Sequence, residues 1–507
     1  MSEKFSSKAI YDFYKKLEER NIENHGLIIM KGKDIIYEEY QYPYSSDMPH
    51  TLFSVTKSIV STAAGFAISE GLLSLDTKII EIFPEYKACK SGEWENLTLR
   101  SVLTMSSNKN FTFLQDMTGN YVEMFMKASF RKNKGFLYSN NDAHIVAAAV
   151  EKKSGMSLVD YLTPRLFKPL GINIPFWETN SIGECIGGTG AYLTLPDLVK
   201  ICRCYADGGK YNGEQVIPEF WAREATKIQV PFKNDKGIEE GYGYLFWIEN
   251  NVFTMSGMFG QRISYYPLQD VVIGSLNCCI DEGANNVAID KLAEKLFSEE
   301  ISSAWDEKLK EYLESRNIKP EKNKEEIKIS PDKTYYITRK SDVLGKIMFP
   351  QSIIPRTIGV SLAKRPKKNL DEVSFSLSQD TFTVKWKEEE DKIIINCGLD
   401  GEAKLSQCKI KGYPYKIWAY AYCENGIIKA VVKPLNTLST HYISFDFSGD
   451  YVSIRFKGTP SFPEFIKRHI TDVPLFSKNK AMRGIAFRCM DMVLSTVERP
   501  IKLKSKK

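Results

Sequence analysis

The 507-residue sequence lacks the features that would assign it to several other classes of protein. It has no run of about 18 consecutive apolar residues, so we expect no membrane-spanning helix. The first 20 residues contain no apolar stretch followed by a small-residue cleavage site, so the predicted location is the cytoplasm. The 69 basic residues nearly balance the 63 acidic ones, and the excess at Lys502 to Lys507 resembles a solvated, frayed end. We therefore expect neither a nucleic-acid partner nor a membrane.

Metal-binding patterns are also missing. The five histidines form no close ligand pair, and Cys202 with Cys204 and Cys278 with Cys279 do not have the spacing of a zinc site. The ten cysteines are instead typical of reduced, mostly structural thiols. The sequence therefore predicts no metal and no cofactor.

Chain length predicts at least two domains. Residues 1–305 alternate helical and strand patterns, with an opening hairpin around Lys31 to Lys33, a helix followed by a short connection over Ser58 to Leu75, and helices at Asp142 to Ser154 and Leu195 to Ala206. The fold class expected here is α+β, an antiparallel sheet flanked by helices.

The remaining sequence has a different pattern. Residues 306–333 are dense in charge and are predicted to be a linker. Residues 334–475 contain short alternating runs separated by turn residues, which predicts a smaller all-β domain, either a sandwich or a barrel. Residues 476–507 are expected to form a terminal helix and a basic tail. The β domain carries no recognisable chemistry; covering the cleft, oligomerisation and substrate binding all stay open as roles.

Ser54-Val55-Thr56-Lys57 is the central motif. If a helix begins at Ser54, its side chain and that of Lys57 lie on one face, and a desolvated lysine can take the proton of a serine nucleophile. The same Ser-x-x-Lys spacing also begins at six other serines, so spacing alone is weak evidence. The Ser54 copy is distinguished by its combined context: it is uncharged inside, follows Thr51-Leu52-Phe53 and opens a strongly apolar helix that would bury Lys57.

Two further motifs could complete such a site. Tyr138 lies two residues before Asn140; a tyrosine near a lysine can act as acid or base, and the amide could hold Lys57 or a substrate carbonyl. A loop tyrosine beside an Asn-Asn turn would give the same pattern. The glycines after Met255 and Ser256 would let a strand approach a substrate, and an amide there could join that of Ser54 as an oxyanion hole. A plain strand-to-turn would look similar.

Together these motifs resemble the penicillin-recognising serine hydrolases, which include class C β-lactamases, D-alanyl-D-alanine carboxypeptidases, esterases and 6-aminohexanoate-oligomer hydrolases. That family has Ser-x-x-Lys, then Tyr-x-Asn, then Lys-Thr-Gly or His-x-Gly. Ser54 with Lys57 matches the first and Tyr138 with Asn140 the second, while Met255-Ser256-Gly257 falls at the third. The resemblance covers roughly residues 20 to 300 and implies a β-lactamase/transpeptidase-like fold with a helical subdomain.

The resemblance implies catalytic roles for Ser54, Lys57 and Tyr138, and substrate or oxyanion contacts from Asn140, Ser256, Gly257 and Met258. Methionine replaces the cation that often binds a substrate carboxylate, so the amide-and-ester branch is favoured over β-lactamases and D-alanyl carboxypeptidases. The expected substrate is a small molecule or short peptide. The motifs are also compatible with a transacylase or with a non-catalytic binding protein. The oligomeric state stays open, a homodimer included.

Overall fold

The computed structural model describes residues 4–89, 92–110, 120–173, 176–180, 182–233, 239–327, 333–337, 372–388, 391–410, 412–459 and 500–505. The described residues form two compact units, one ending at Arg316 and the other beginning at Asn317. Within this described part of the chain, no helix is both long and apolar enough to cross a membrane.

The helices of the first unit mostly begin at polar capping residues. In chain order they are α1 (Ser7–Glu19), α2 (Thr56–Ser69), α3 (Ile79–Ile82), α4 (Leu99–Leu103), α5 (Tyr121–Lys127), α6 (Asn140–Ser154), α7 (Leu158–Leu162), α8 (Leu195–Ala206), α9 (Glu219–Ala225), α10 (Glu282–Lys295) and α11 (Ser303–Ser315). Ser139 and Thr194, for example, each accept a backbone N–H from the first turn of the helix that follows. The bounds of α8 are those that the sequence predicts.

The strands of the first unit form one large sheet and two small ones. They are β1 (Glu23–Lys31), β2 (Asp34–Tyr40), β3 (His50–Thr51), β4 (Phe176–Trp177), β5 (Ala191–Leu193), β6 (Lys210–Tyr211), β7 (Glu214–Gln215), β8 (Val230–Lys233), β9 (Glu239–Tyr242), β10 (Trp247–Glu249), β11 (Val252–Gly257), β12 (Gln261–Tyr266) and β13 (Val271–Cys278). The large sheet has the order β2-β1-β13-β12-β11-β10-β9-β8. All its pairings are antiparallel.

Helices cover both faces of this sheet because alternate strand residues point to opposite sides. Leu27 and Ile29 of β1 pack into a cluster with residues of α1 and α10. Ile28 and Met30 face the larger core, which contains α2, α6 and α8. The predicted α+β fold, an antiparallel sheet flanked by helices, is therefore confirmed, and α2 lies inside the larger core.

The second unit is built from strands. They are β14 (Thr334–Ile337), β15 (Glu372–Leu377), β16 (Thr381–Glu388), β17 (Asp391–Gly398), β18 (Lys404–Ile410), β19 (Tyr413–Glu424), β20 (Ile427–Pro434), β21 (Thr440–Ser448), β22 (Tyr451–Thr459) and β23 (Ile501–Ser505). Their order is β17-β16-β15-β14-β23-β22-β21-β20-β19-β18, and a further pairing between β17 and β19 closes a ring of nine strands. Of the two all-β forms expected, the structure has the barrel.

Two segments differ in structure from what their dense charge indicates. The first part of the predicted 306–333 linker is helical, because α11 ends only at Ser315. Among its many charged residues, α11 has an apolar stripe formed by Leu309, Tyr312 and Leu313. This stripe packs in the same hydrophobic cluster as the buried residues of α1. The predicted terminal helix, around Lys480 to Val497, falls on residues outside those described. The tail is not frayed at 501–505, because β23 buries Ile501 and Leu503 between its lysines.

Candidate active site

Ser54 lies at the start of a buried helix. It is the middle residue of a single 3₁₀ turn, Phe53–Val55, which runs directly into α2. Lys57 is the second residue of α2, three positions after Ser54, so both side chains lie on the same face. The Lys57 residue is only 1% exposed, because nearly all of α2 is buried. The serine is thus paired with an amine that is shielded from bulk water.

Three oxygen atoms hold the Lys57 amine. Its Nζ lies 2.7 Å from Ser54 Oγ, 2.7 Å from Asn140 Oδ1 and 2.8 Å from the main-chain oxygen of Gly188. A buried ammonium requires such acceptors to replace its lost hydration. The same arrangement suits the free amine, since two N–H groups can stay on Asn140 and Gly188 while the lone pair points at Ser54. The geometry therefore permits a proton to pass between Ser54 and Lys57.

Two backbone features position those acceptors. Asn140 is the first residue of α6, whose capping residue Ser139 accepts the N–H of Asp142 at 3.2 Å. Gly188 lies in the turn 186–190, and a Cβ added to it would lie 3.1 Å from the carbonyl oxygen of Asn140. Glycine therefore allows this turn to lie directly against the start of α6.

Tyr138 lies beside both members of the pair. Its ring centroid is 4.8 Å from Lys57 Nζ, and its hydroxyl is close enough to Ser54 for that side chain to lower the pKa of the phenol. The ring of Trp247 stacks on it, with centroids 5.3 Å apart. Burial raises the pKa of the Tyr138 phenol well above its usual range, and the interaction with Ser54 offsets only part of that rise. The phenol is therefore protonated at neutral pH, so it is a hydrogen-bond donor at rest.

Strand β11 brings the third motif next to the serine. A Cβ added to Gly257 would lie 2.3 Å from the carbonyl oxygen of Leu52 and 3.2 Å from the backbone nitrogen of Val55. Only glycine permits such a close approach of this strand to the turn that carries Ser54. Met258 follows Gly257 directly. Its backbone amide is therefore adjacent to the point where β11 meets this turn.

The side chains of the other two residues of the third motif lie on opposite faces of β11. Met255 is fully buried in the larger core. Ser256 alternates with it and therefore shares the opposite face with Thr254, whose hydroxyl lies 2.8 Å from that of Ser264. A contact from the Ser256 side chain to a bound substrate stays a prediction.

Two phenylalanines with strained backbone lie close to the serine turn: Phe53 precedes the serine, and the ring of Phe259 contacts that of Phe53. Phe53 and Phe259 have φ angles of 47° and 65°, which bulky residues seldom adopt. Their rings contact each other, with centroids 5.3 Å apart. Glu282 Oε1 accepts the Phe259 N–H at 2.9 Å, and Gln261 Nε2 donates to the Phe259 carbonyl at 3.3 Å. Such strain persists only where neighbouring groups hold it, and it is concentrated at functional sites.

These supporting residues escape a prediction made from sequence. Gly188 acts through its backbone oxygen, and Glu282 through its contact with a backbone N–H. Such contacts do not require a recognisable sequence pattern, so neither residue belongs to a motif. Phenylalanine gives no indication of a positive φ angle. The run Gly187-Gly188 is the one visible sign, since adjacent glycines indicate a close backbone approach.

Six aromatic residues in this part of the sequence could either line an apolar cleft or belong to the core: Phe111, Phe113, Trp177, Phe246, Trp247 and Phe259. Phe246, Trp177 and Phe259 are buried, whereas Trp247 is partly exposed beside Tyr138. Phe111 and Phe113 lie outside the described residues. Among the residues that are described, no group of three or more His, Cys, Asp or Glu side chains is arranged to hold a metal ion.

The relatives of this chain among known proteins include three of moderate similarity. The 6-aminohexanoate-dimer hydrolase of Paenarthrobacter ureafaciens is 23% identical over 305 residues, which make up 52% of this chain and 75% of that protein. Penicillin-binding protein 4* of Bacillus subtilis (strain 168) is 24% identical over 190 residues, covering 33% of this chain and 40% of its own length. The lovastatin esterase of Penicillium rubens is 27% identical over 234 residues, covering 34% and 58%.

The family model described as "Beta-lactamase" matches residues 13–276, which is more than half of the chain. This segment contains all three motifs and the eight-stranded sheet apart from the last residues of β13. The resemblance found in the sequence is thereby confirmed, and the chain belongs to the beta-lactamase family of serine hydrolases.

Proposed function

We propose that this protein cleaves a small amide, peptide or ester through an acyl-enzyme formed on Ser54. The observation that carries the proposal is the 2.7 Å contact between Lys57 Nζ and Ser54 Oγ, made by a lysine that is only 1% exposed. A serine hydroxyl becomes a useful nucleophile only when a neighbouring base takes its proton. Relatives named as an aminohexanoate-dimer hydrolase and a lovastatin esterase are consistent with this substrate class.

In the first step, Ser54 Oγ bonds to the substrate carbonyl carbon while its proton passes to Lys57. Asn140 and Gly188 hold the two other hydrogens of the amine, so the lone pair faces the serine from the start. Such prior orientation is a large part of catalysis by a positioned base. The amides of Ser54 and Met258 would stabilise the oxyanion that forms on the carbonyl oxygen.

In the second step, the leaving group needs a proton. Tyr138 is suited to give it, because its phenol is protonated and interacts with Ser54, whose oxygen is now bonded to the carbon that the leaving group departs from. Lys57, now an ammonium beside the Tyr138 ring, can then pass its proton to the Tyr138 phenolate and become a free amine again. Water then attacks the acyl group, and the same residues act in reverse to release Ser54.

Met255 argues against a substrate that must be held by its carboxylate. At this position a lysine or histidine would supply a positive charge, whereas the methionine side chain is fully buried in the core. Efficient β-lactamase or D-alanyl carboxypeptidase activity is therefore not expected.

The test is covalent labelling with a fluorophosphonate, read by peptide mass spectrometry. The proposal predicts one adduct, on Ser54, and its loss in Ser54→Ala. Ser61→Ala is the matched control, since it removes another buried hydroxyl from α2 and should not alter labelling. Folded wild-type protein that stays unmodified would favour a non-catalytic binding protein. A panel of p-nitrophenyl esters, amino-acid amides and nitrocefin, with and without an added amine acceptor, then separates hydrolysis from acyl transfer.

A further inference from the structure

His144 lies one helical turn beyond Asn140 on α6 and is buried. Residues four apart on a helix share a face, so His144 faces the same turn, 186–190, that Asn140 contacts. Its Nδ1 accepts the backbone N–H of Gly187 at 3.3 Å. The next residue, Gly188, gives its carbonyl oxygen to Lys57. His144 is thus one residue removed from a direct ligand of the amine.

Two kinds of contact hold the turn 186–190: hydrogen bonds to its first residue, Ile186, and close packing of Gly187 against α6. The carbonyl of Ile186 accepts the N–H of Gly190 at 3.0 Å and the indole N–H of Trp177 at 3.0 Å. A Cβ added to Gly187 would lie 2.6 Å from the Cβ of Ala147, so this residue is pressed against the helix. The Gly187 N–H points at the helix, and His144 supplies its acceptor.

The second ring nitrogen of His144 is consistent with this role. Nδ1 must be unprotonated to accept a hydrogen bond, so the neutral ring carries its proton on Nε2. Nε2 lies 3.5 Å from Glu184 Oε2. This distance is too long for a strong hydrogen bond, but the carboxylate favours a proton on the nitrogen that faces it.

We infer that His144 is a positioning residue, which anchors the Gly187–Gly188 backbone so that the Gly188 carbonyl fixes one hydrogen of Lys57. Its effect on the reaction passes through this backbone, since its ring contacts the turn and the serine lies on the other side of Lys57. The inference rests on the proposed function, because it explains how the base that serves Ser54 is oriented.

Two substitutions separate the acceptor from the ring. His144→Phe keeps an aromatic ring and removes the acceptor, whereas His144→Asn can place Oδ1 near the position of Nδ1. Val146→Ala is the matched control, because it weakens the packing of α6 from a fully buried position that does not face the turn. The measurement is kcat and KM for a p-nitrophenyl ester. The concentration of active enzyme used to calculate kcat is the concentration of Ser54 that a fluorophosphonate labels at completion.

His144→Phe should lower kcat by about 10- to 10²-fold with little change in KM, since it misplaces the base and not the substrate. His144→Asn should restore most of the lost rate, and Val146→Ala should lower the melting temperature without lowering kcat. A purely structural histidine would make His144→Phe behave like Val146→Ala, which would overturn the inference. Equal losses in the folded Phe and Asn variants would also overturn it.

Failure of the proposed function is distinguishable from failure of this inference, because in that case the fluorophosphonate would not label Ser54 even in the wild type. If His144→Phe does not fold, the tautomer of the His144 ring is measured in the wild type by nitrogen-15 NMR. The His144 signal is assigned by its absence from the spectrum of the Asn variant. Nδ1 unprotonated and Nε2 protonated supports the inference. A proton on Nδ1 contradicts it.

Discussion

Gly257 offers the sharpest perturbation of the candidate site, because adding one methyl group there tests whether β11 must lie against the serine turn. The residue has φ −133° and ψ 152°, an extended conformation that alanine also adopts. Gly257→Ala therefore adds no backbone strain. Its whole effect comes from the new Cβ, which would lie 2.3 Å from the Leu52 carbonyl oxygen.

The size of the effect follows from that distance. Ordinary van der Waals contact begins at 3.4 Å, so the strand and the turn must separate by about 1 Å. The Leu52 oxygen belongs to the backbone and cannot rotate away as a side chain would. A misplacement of about 1 Å can cost roughly 10²-fold in rate, and loss of one oxyanion donor costs a similar factor. Overpacking of this kind also lowers stability by about 1–3 kcal/mol.

The assay is the second-order rate of fluorophosphonate labelling of Ser54, together with thermal melting. Gly274→Ala is a matched control in β13 of the same sheet, where the added Cβ would meet the side chain of Val199 at 2.5 Å and that of Leu195 at 3.0 Å. We expect both variants to melt earlier and only Gly257→Ala to lose about 10²-fold in labelling rate. Labelling of Gly257→Ala at the rate of Gly274→Ala would refute the reasoning.

Further predictions concern the phenol, a buried carboxyl and the third motif. Tyr138→Phe keeps the stacking on Trp247 and loses the proton donor, so acyl transfer should slow by about 10²–10⁴-fold at nearly unchanged melting temperature; a wild-type rate would contradict the proposed acid. Burial raises the pKa of the Asp142 carboxyl to about 7, against opposing hydrogen bonds from Ser107 and Ser139. Because the folded form binds this proton more tightly than the unfolded form, stability should fall as the pH rises from about 4 to about 7, by at most about 4 kcal/mol. The melting temperature should depend less steeply on pH in Asp142→Asn than in the wild type. An identical pH dependence in both proteins would exclude Asp142 as the cause. Met255→Lys should lower the melting temperature and gain no nitrocefin hydrolysis, because the ammonium would be buried without partners; a gain of activity would show that this position does face the substrate.

Much of the first unit can be predicted from local sequence. The bounds of α8 follow from Thr194 as its cap and Pro196 in its first turn. The hairpin of β1 and β2 follows from two apolar runs around the turn at Gly32. These elements are predictable because the physical cause of each lies within a few residues of it.

Other elements depend on contacts that local sequence does not reveal. The helix α11 falls in the predicted linker because its charged residues outnumber the apolar ones, yet Leu309 and its neighbours pack against the cluster of α1. Likewise, Lys502 and Lys504 indicate a solvated tail, whereas the alternation of Ile501 and Leu503 makes the segment a strand. In both cases a narrow apolar stripe decides the structure.

The candidate site divides in the same way. Side chains with distinctive chemistry, Ser54, Lys57, Tyr138 and Asn140, can be named from motifs, and the structure brings all four together. Groups that act through the backbone or through another residue have no such pattern. The Gly188 carbonyl and the anchor at His144 become visible only when the turn 186–190 is packed on α6.

The most direct test of the account is time-resolved mass spectrometry during turnover of an activated ester, with Lys57→Met measured beside the wild type. The account predicts an acyl adduct that builds up on Ser54 and decays in the wild type, and almost no adduct in the folded Lys57→Met variant. Ester turnover without an adduct on Ser54, or an adduct that forms as fast without the Lys57 amine, would contradict it.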